Sequence, residues 1–152
     1  MKNLKQLIQQ FKQHGYKMTP QRRAIIEIIV GCTSEHPTAD QIHERVLERM
    51  PDTSLATVYN TLRELVAIDQ VYELNFGHGV RRYELSHSEH AHQICLQCEK
   101  IVDVPGNFNQ LAALFADHDE FQPVRHNVTI LGYCAECSKS LEKLTEAEQP
   151  KN

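Results

Sequence analysis

Apolar residues in the first half of the chain recur with a helical period. Leu4, Leu7, Ile8 and Phe11 fall at i, i+3, i+4 and i+7, the spacing that lines one face of an α-helix. Gly15 ends that helix. Thr19-Pro20 supplies a capping residue followed by proline at the first helical position, where its missing N–H costs nothing. Ile25, Ile28 and Ile29 form the buried stripe of a second helix that should stop near Gly31. Thr38-Ala39-Asp40-Gln41 fits a capping box, with Ile42, Val46 and Leu47 facing inward and Pro51 closing the third helix. Ser54 caps a fourth. Its apolar residues Leu55, Val58, Leu62, Leu65 and Val66 lie within about 100° of one another on a helical wheel. The opposite face carries Ala56, Thr57, Asn60, Arg63 and Glu64, with Tyr59 on the border.

After Val66 the pattern changes to strands. Val71-Tyr72-Glu73-Leu74 and Arg82-Tyr83-Glu84-Leu85 flank Gly77-His78-Gly79 as a hairpin. A hairpin directly after a helix with a small, polar outer face predicts a winged helix-turn-helix. In that arrangement Ser54, Thr57, Asn60 and Arg63 face bases or phosphates, and the Tyr59 ring meets a thymine methyl. Arg81 and Arg82 lie on the returning strand, within reach of phosphates. A plainly solvated helix face has the same composition, so the hairpin is what favours DNA. Further on, Gln93 to Cys95, Ile101 to Val104 and Val128 to Leu131 are short β-rich runs, with a helix around Asn109 to Ala116. The predicted class is α+β: a winged-helix domain at 1–84, a hinge at 85–91, a small α/β domain at 92–138 and a charged tail at 139–152, a short helix that frays.

Length allows one ordinary domain or two small ones at 152 residues. No apolar run approaches the roughly 20 residues that span a membrane, and Met1 to Lys12 lacks the apolar stretch of a signal peptide. The expectation is a soluble, cytoplasmic protein with no membrane partner. A net charge of −4 looks wrong for a DNA binder, but it is unevenly spread. Residues 1–83 carry 11 Lys and Arg against 9 Asp and Glu, a net of +2, and residues 84–152 carry 5 against 11, a net of −6.

Five cysteines in a reducing compartment point to metal or thiol chemistry. Cys95-x-x-Cys98 and Cys134-x-x-Cys137 form two pairs, each able to clasp a metal from one tight turn, and together they match the closed tetrahedral sulfur site that Zn2+ favours. A redox dithiol is the alternative for either pair. Cys32 reads as a small apolar residue at a helix end. A second cluster, Glu84, His87, Glu89, His90 and His92, precedes Cys95. Imidazole and carboxylate together suit Fe2+, Mn2+ or Zn2+. His36 from the first half and Asp103 from the strand after Cys98 extend the set, and such a site would join the two halves. An auxiliary site near Glu89 and His126 is a further candidate.

Five segments resemble the Fur family of metal-dependent repressors across nearly the whole length. They are Thr19-Pro20-Gln21-Arg22, His36-Pro37-Thr38-Ala39-Asp40, Ser54-Leu55-Ala56-Thr57-Val58-Tyr59-Asn60, His90-Ala91-His92-x-x-Cys95-x-x-Cys98 and Gly132-Tyr133-Cys134-x-x-Cys137. The resemblance implies a homodimer, formed through the C-terminal domain, that binds an AT-rich palindrome in double-stranded DNA when metal-loaded. It implies one structural Zn2+ on Cys95, Cys98, Cys134 and Cys137. It also implies a regulatory Fe2+ or Mn2+, with Zn2+ as a further option, on His36, Glu84, His90, His92 and Asp103. Arg22 and Arg82 join the DNA-binding set. Asn60 and the His36 to Asp40 segment resemble the peroxide-sensing PerR branch, in which a ligand histidine is oxidised; His36 and His90 are the corresponding targets. Glu84 resembles iron-sensing Fur instead, while Asp103 resembles PerR. An iron-responsive Fur or zinc-responsive Zur repressor is therefore the alternative.

Two other classes compete. A zinc-ribbon metallohydrolase would use Glu89 as its base, but no nucleophile motif or Gly-rich loop accompanies it. A metal buffer would have no need of the helix from Ser54. The expectation is a regulator rather than an enzyme.

Overall fold

Four helices and a hairpin make up the first of two units, Met1–Ser88; the second is Glu89–Asn152. The computed structural model describes residues 3–32, 35–75, 79–85, 90–116, 122 and 126–147. In the first unit the elements are α1 (Leu4–Gln13), α2 (Pro20–Gly31), α3 (Ala39–Leu47), α4 (Leu55–Ala67), β1 (Val71–Asn75) and β2 (Arg81–Leu85). Each helix starts where a short polar side chain accepts an otherwise unused N–H: Thr19, Thr38 and Ser54 cap as the sequence predicts. Asn3 and Gln6 form a further capping box at α1. Gly15 follows α1 with φ +84°, a conformation that glycine adopts without a Cβ clash.

The buried face of α2 is wider than the predicted stripe. Ala24 and Ile26 are buried beside Ile25, Ile28 and Ile29, because α1, α3, α4 and β2 all pack on α2. Leu47 and Leu55, expected inside, are only half-buried. α3 stops at Leu47, ahead of Pro51, as the chain turns through the Met50 N–H to Val46 carbonyl bond of 2.8 Å. Leu7, Phe11, Ile25, Ile42, Leu62 and Leu65 form one continuous core that reaches Val71, Tyr83 and Leu85 of the hairpin. Each such side chain contributes roughly 1.5–3 kcal/mol by leaving water. β1 and β2 pair antiparallel, Val71 opposite Leu85.

The second unit contains β3 (His90–Cys95), β4 (Ile101–Pro105), α5 (Asn109–Ala116), β5 (Val128–Gly132) and α6 (Ala135–Ala147). The sheet order is β4-β3-β5, with β3 antiparallel to β4 and parallel to β5. Strand β3 begins at His90, earlier than the Gln93 expected from its β-rich residues, and so carries both histidines. The segment expected as hinge, 85–91, begins in β2 with Leu85 and ends in β3 with His90 and Ala91; 86–89 lie outside the described residues. Of the expected tail, 139–147 are helical within α6. The class is mixed α+β, as expected.

Candidate metal centres and nucleic-acid face

Parallel pairing explains how two CxxC motifs far apart in sequence meet. Cys95 lies opposite Gly132 in the β3–β5 register, so the turn after β3 and the junction between β5 and α6 emerge at the same end of the sheet. The Leu96 N–H donates to the Gly132 carbonyl at 2.7 Å and locks the two exits together. The four sulfurs of Cys95, Cys98, Cys134 and Cys137 lie within 4.8 Å of one another. Cys98 Sγ and Cys134 Sγ are 3.7 Å apart; a tetrahedron with Zn–S bonds of about 2.3 Å has edges of roughly 3.8 Å. Hydrogen bonds from the backbone N–H groups of Cys98 and Cys134 lower the Cys95 thiol to about 6, so this sulfur offers a thiolate at neutral pH. Hydrogen bonding to Cys134 holds the proton on Cys137 and pushes it up to about 12. An all-sulfur, closed donor set of this size fits Zn2+ in a structural role.

The imidazole and carboxylate ligand candidates are paired within each unit. In the first, His36 and Glu84 are both buried, with His36 Nε2 3.1 Å from Glu84 Oε2. His36 has φ +46°, which costs a non-glycine residue of order 1 kcal/mol or more. Its loop is laid against β2: Thr38 bridges to Arg82, the Tyr83 N–H donates to the Pro37 carbonyl at 2.9 Å, and Arg82 Nη1 donates to the His36 carbonyl at 3.2 Å. In the second unit, His90 and His92 share a face of β3, and their Nε2 atoms are 3.1 Å apart. Two ring nitrogens facing one another so closely can both turn to one cation. Asp103 of β4 pairs with His92 across the sheet; its Oδ1 lies 3.8 Å from His92 Nε2 and 4.0 Å from His90 Nε2. Nitrogen and oxygen donors without sulfur fit Fe2+ or Mn2+. His87 and Glu89 lie outside the described residues, and His126 is half-buried in the segment before β5.

On α4, Tyr59 is 44% exposed, and Asn60 and Arg63 are exposed, with Arg63 Nη2 donating to Asn60 Oδ1 at 2.9 Å. The Ser54 hydroxyl accepts the Thr57 N–H and lies 2.9 Å from the Thr57 hydroxyl. A recess of about 340 Å3 runs between Thr38, Ala39 and Asp40 at the start of α3, Tyr59 of α4, and Gly79, Val80 and Arg81 beside the hairpin. Arg22 is engaged with the scaffold. It donates to Glu64 of α4 at 2.7 Å and to the Lys17 carbonyl at 2.8 Å, and it lies over the Phe11 ring at 5.4 Å. Glu64, expected on the outer face, is turned toward α2 by that pair. Arg82 and Arg22 reach partners 46 and 42 residues away, separations that leave no local signature in a sequence. Cys32 is buried, as expected of a small apolar residue, and burial raises its thiol; Arg45 Nη1 donates to its sulfur at 2.8 Å.

Residues 13–131 match the Ferric uptake regulator family. The peroxide operon regulator of Bacillus subtilis (strain 168) is 40% identical over 138 residues, covering 90% of this chain and 94% of that protein. The peroxide-responsive repressor PerR of Staphylococcus aureus is 36% identical over 135 residues, covering 88% and 90% respectively. In fold, the ferric uptake regulator Fur of Helicobacter pylori superimposes with a TM-score of 0.75 at 22% identity, over 90% of this chain and 95% of that one.

Proposed function

The chain belongs to the ferric uptake regulator family, and we propose that it is a metal-dependent, DNA-binding transcriptional repressor that responds to peroxide. The observation that carries this reading is the separation of two donor sets. One is closed and all-sulfur within the second unit. The other is sulfur-free, made of the His36–Glu84 pair and the His90–His92–Asp103 triplet. Cys95, Cys98, Cys134 and Cys137 hold structural Zn2+. His36, Glu84, His90, His92 and Asp103 ligate one regulatory Fe2+ or Mn2+. Because those ligands come from both halves of the sequence, occupancy selects one arrangement of the DNA-binding part and so sets operator affinity.

In this reading residues 1–84 bind DNA, 85–91 act as hinge, 92–138 dimerise and 139–152 form a tail. Ser54, Thr57, Tyr59, Asn60 and Arg63 meet the duplex, an AT-rich palindrome matched to a homodimer, with Arg22 and Arg82 as flanking cations. The exposure of Ile130, Leu131, Tyr133 and Phe115 supports pairing of second units. Among the described residues no helix is long and apolar enough to cross a membrane. The protein acts in the cytoplasm, where its operator is, as a regulator rather than an enzyme.

Iron held by His36, Glu84, His90, His92 and Asp103 would supply the redox chemistry that activates peroxide, ending the cycle in its starting oxidation state. His36 and His90 would present the rings that are modified: at each, a ring C–H carbon gains one oxygen atom from one peroxide, the ring gives up the two electrons that the peroxide takes, and the other oxygen leaves as water. An oxygenated ring is a poorer ligand, so repression is relieved. The test is mass spectrometry of Fe2+-loaded protein after brief low peroxide, alongside operator binding. A gain of one oxygen on a peptide containing His36 or His90, absent with Mn2+, is the expected result. If neither peptide changes and DNA binding persists, the protein is an iron or zinc sensor. Glu84, the carboxylate that resembles iron-sensing relatives, is the residue that favours that second reading.

A further inference from the structure

We infer that Arg82 is a positioning residue for the metal ligand His36, so that strand β2 of the wing and the loop that carries this ligand move as one piece; the inference rests on His36 serving as a ligand. Three successive residues of β2 hold the loop at 36–38. Arg82 Nη1 donates to the His36 carbonyl at 3.2 Å. The Tyr83 N–H donates to the Pro37 carbonyl at 2.9 Å. Glu84 Oε2 meets His36 Nε2 at 3.1 Å. Residues 82 and 84 share a face of the strand, so one face of β2 fixes both the backbone and the ring of His36.

The loop needs holding from outside. His36 is in the left-handed region at φ +46°, which a non-glycine residue adopts only when its surroundings enforce it. It also precedes Pro37, which has no N–H of its own to donate. The His36 and Pro37 carbonyls are therefore the natural anchor points, and both accept from β2. Removing the guanidinium takes away one anchor and lets the ring swing from Glu84. Partners that orient a metal-ligating histidine through its ring are typically worth about 10- to 100-fold in metal affinity, and an anchor on the same residue's carbonyl acts on the ring's position in the same direction. A residue expected to touch phosphate thus acts on the metal as well.

The experiment is Mn2+ titration calorimetry of the full-length, zinc-replete protein, with Arg82→Met, Arg82→Lys, Arg81→Ala and His36→Ala variants. Arg82→Met should weaken Mn2+ binding by about tenfold or more. Arg82→Lys, which keeps an N–H donor and the charge but not the planar fork, should recover part of it, and Arg81→Ala should stay within about twofold. Zinc content should be unchanged and the melting temperature of the metal-free form should fall by no more than the several degrees that one hydrogen bond is worth, which separates positioning from a general loss of structure. A phosphate contact alone predicts the opposite: unchanged Mn2+ affinity, with the salt slope of operator binding reduced by about one per protomer. If both Arg82 variants bind Mn2+ as wild type does while His36→Ala does not, the inference is wrong and the ligand assignment stands. If His36→Ala also binds normally, both fall. Should Arg82→Met fail to fold, the charge-retaining Arg82→Lys decides.

Discussion

Burial is distributed unequally between the two units. In the first, Phe11, Ile26, Ile42, Val58 and Leu62 are fully enclosed in a cluster that runs through all four helices into the hairpin. In the second, the buried apolar side chains among the described residues are Ala91, Ile94 and Cys95, while Leu114, Phe115, Ile130, Leu131 and Tyr133 are each more than half exposed. Among its described residues the second unit has little interior, and a small unit of that kind rarely folds on burial alone. The difference teaches where each unit's stability lies. The first is held by its core. The second is held by zinc and by whatever covers its apolar face, which in a homodimer is a second copy.

The largest effect should follow Cys95→Ser. Structural zinc contributes apparent binding energies of about 10–16 kcal/mol, more than a small unit has in reserve. We expect zinc to be lost and second-unit amides to lose protection from hydrogen exchange, while first-unit amides keep theirs. A zinc-free variant with a fully protected second unit would break the comparison.

The reverse experiment is Phe11→Ala. This ring is fully buried and packs against Tyr16 at 5.0 Å between centroids, with Arg22 over it. Its removal should destabilise the first unit by about 3–5 kcal/mol, read as a lower urea midpoint, with zinc retained. Loss of zinc from this variant would mean that the units do not fold independently.

The same contrast governs what the sequence could tell. Local signals were legible because local physics makes them: the caps at Thr19, Thr38 and Ser54, the stripes of α1 and α4, and the two CxxC turns. The cysteine quartet could be read whole, since each pair is a local turn and zinc requires four donors. The run of imidazoles and carboxylates offered Glu84, His87, Glu89, His90 and His92, with His36 and Asp103 as additions, and the resemblance narrowed these to His36, Glu84, His90, His92 and Asp103. Their pairing within each unit depends instead on strand register and a loop laid on β2, which no periodicity encodes. Glu64 was placed outward by the helical wheel. A wheel counts angles and cannot see Arg22 arriving from α2. The start of β3 was missed because His90 and Ala91 are weak strand formers, drawn into the sheet by pairing with β4 and, for Ala91, β5.

A smaller effect is expected on the exposed face of α4. Tyr59→Ala and Arg63→Ala should each cost about 1–3 kcal/mol of operator affinity if the side chain meets a base. Both side chains project from a helix whose core face is unaltered. Zinc content, Mn2+ affinity and the urea midpoint should therefore stay at wild-type values. Wild-type operator binding by both variants would mean that another surface reads the DNA.

The smallest effect at neutral pH belongs to Tyr83→Phe, and it tests how tightly the first unit is closed. Tyr83 is 3% exposed on β2, and its hydroxyl donates to Glu73 Oε2 at 3.4 Å. A hydrogen bond that long contributes little, so the variant should lie within about 1 kcal/mol of the parent at pH 7. Alkaline pH separates them. Burial first, and then the charge of Glu73, push the phenol up to about 12, with Arg81 opposing. An unfolded tyrosine titrates near about 10. The folded state therefore favours the neutral phenol. Its contribution is present in full below pH 10 and is lost as pH rises from there through 12. Phenylalanine has no proton to lose, and the other tyrosines are common to both proteins. Urea midpoints of the first unit should thus run nearly together at pH 7 and cross above pH 10, with the variant the more stable of the two at pH 11. Parallel curves throughout would mean that water reaches the Tyr83 hydroxyl and that the core is open at the hairpin.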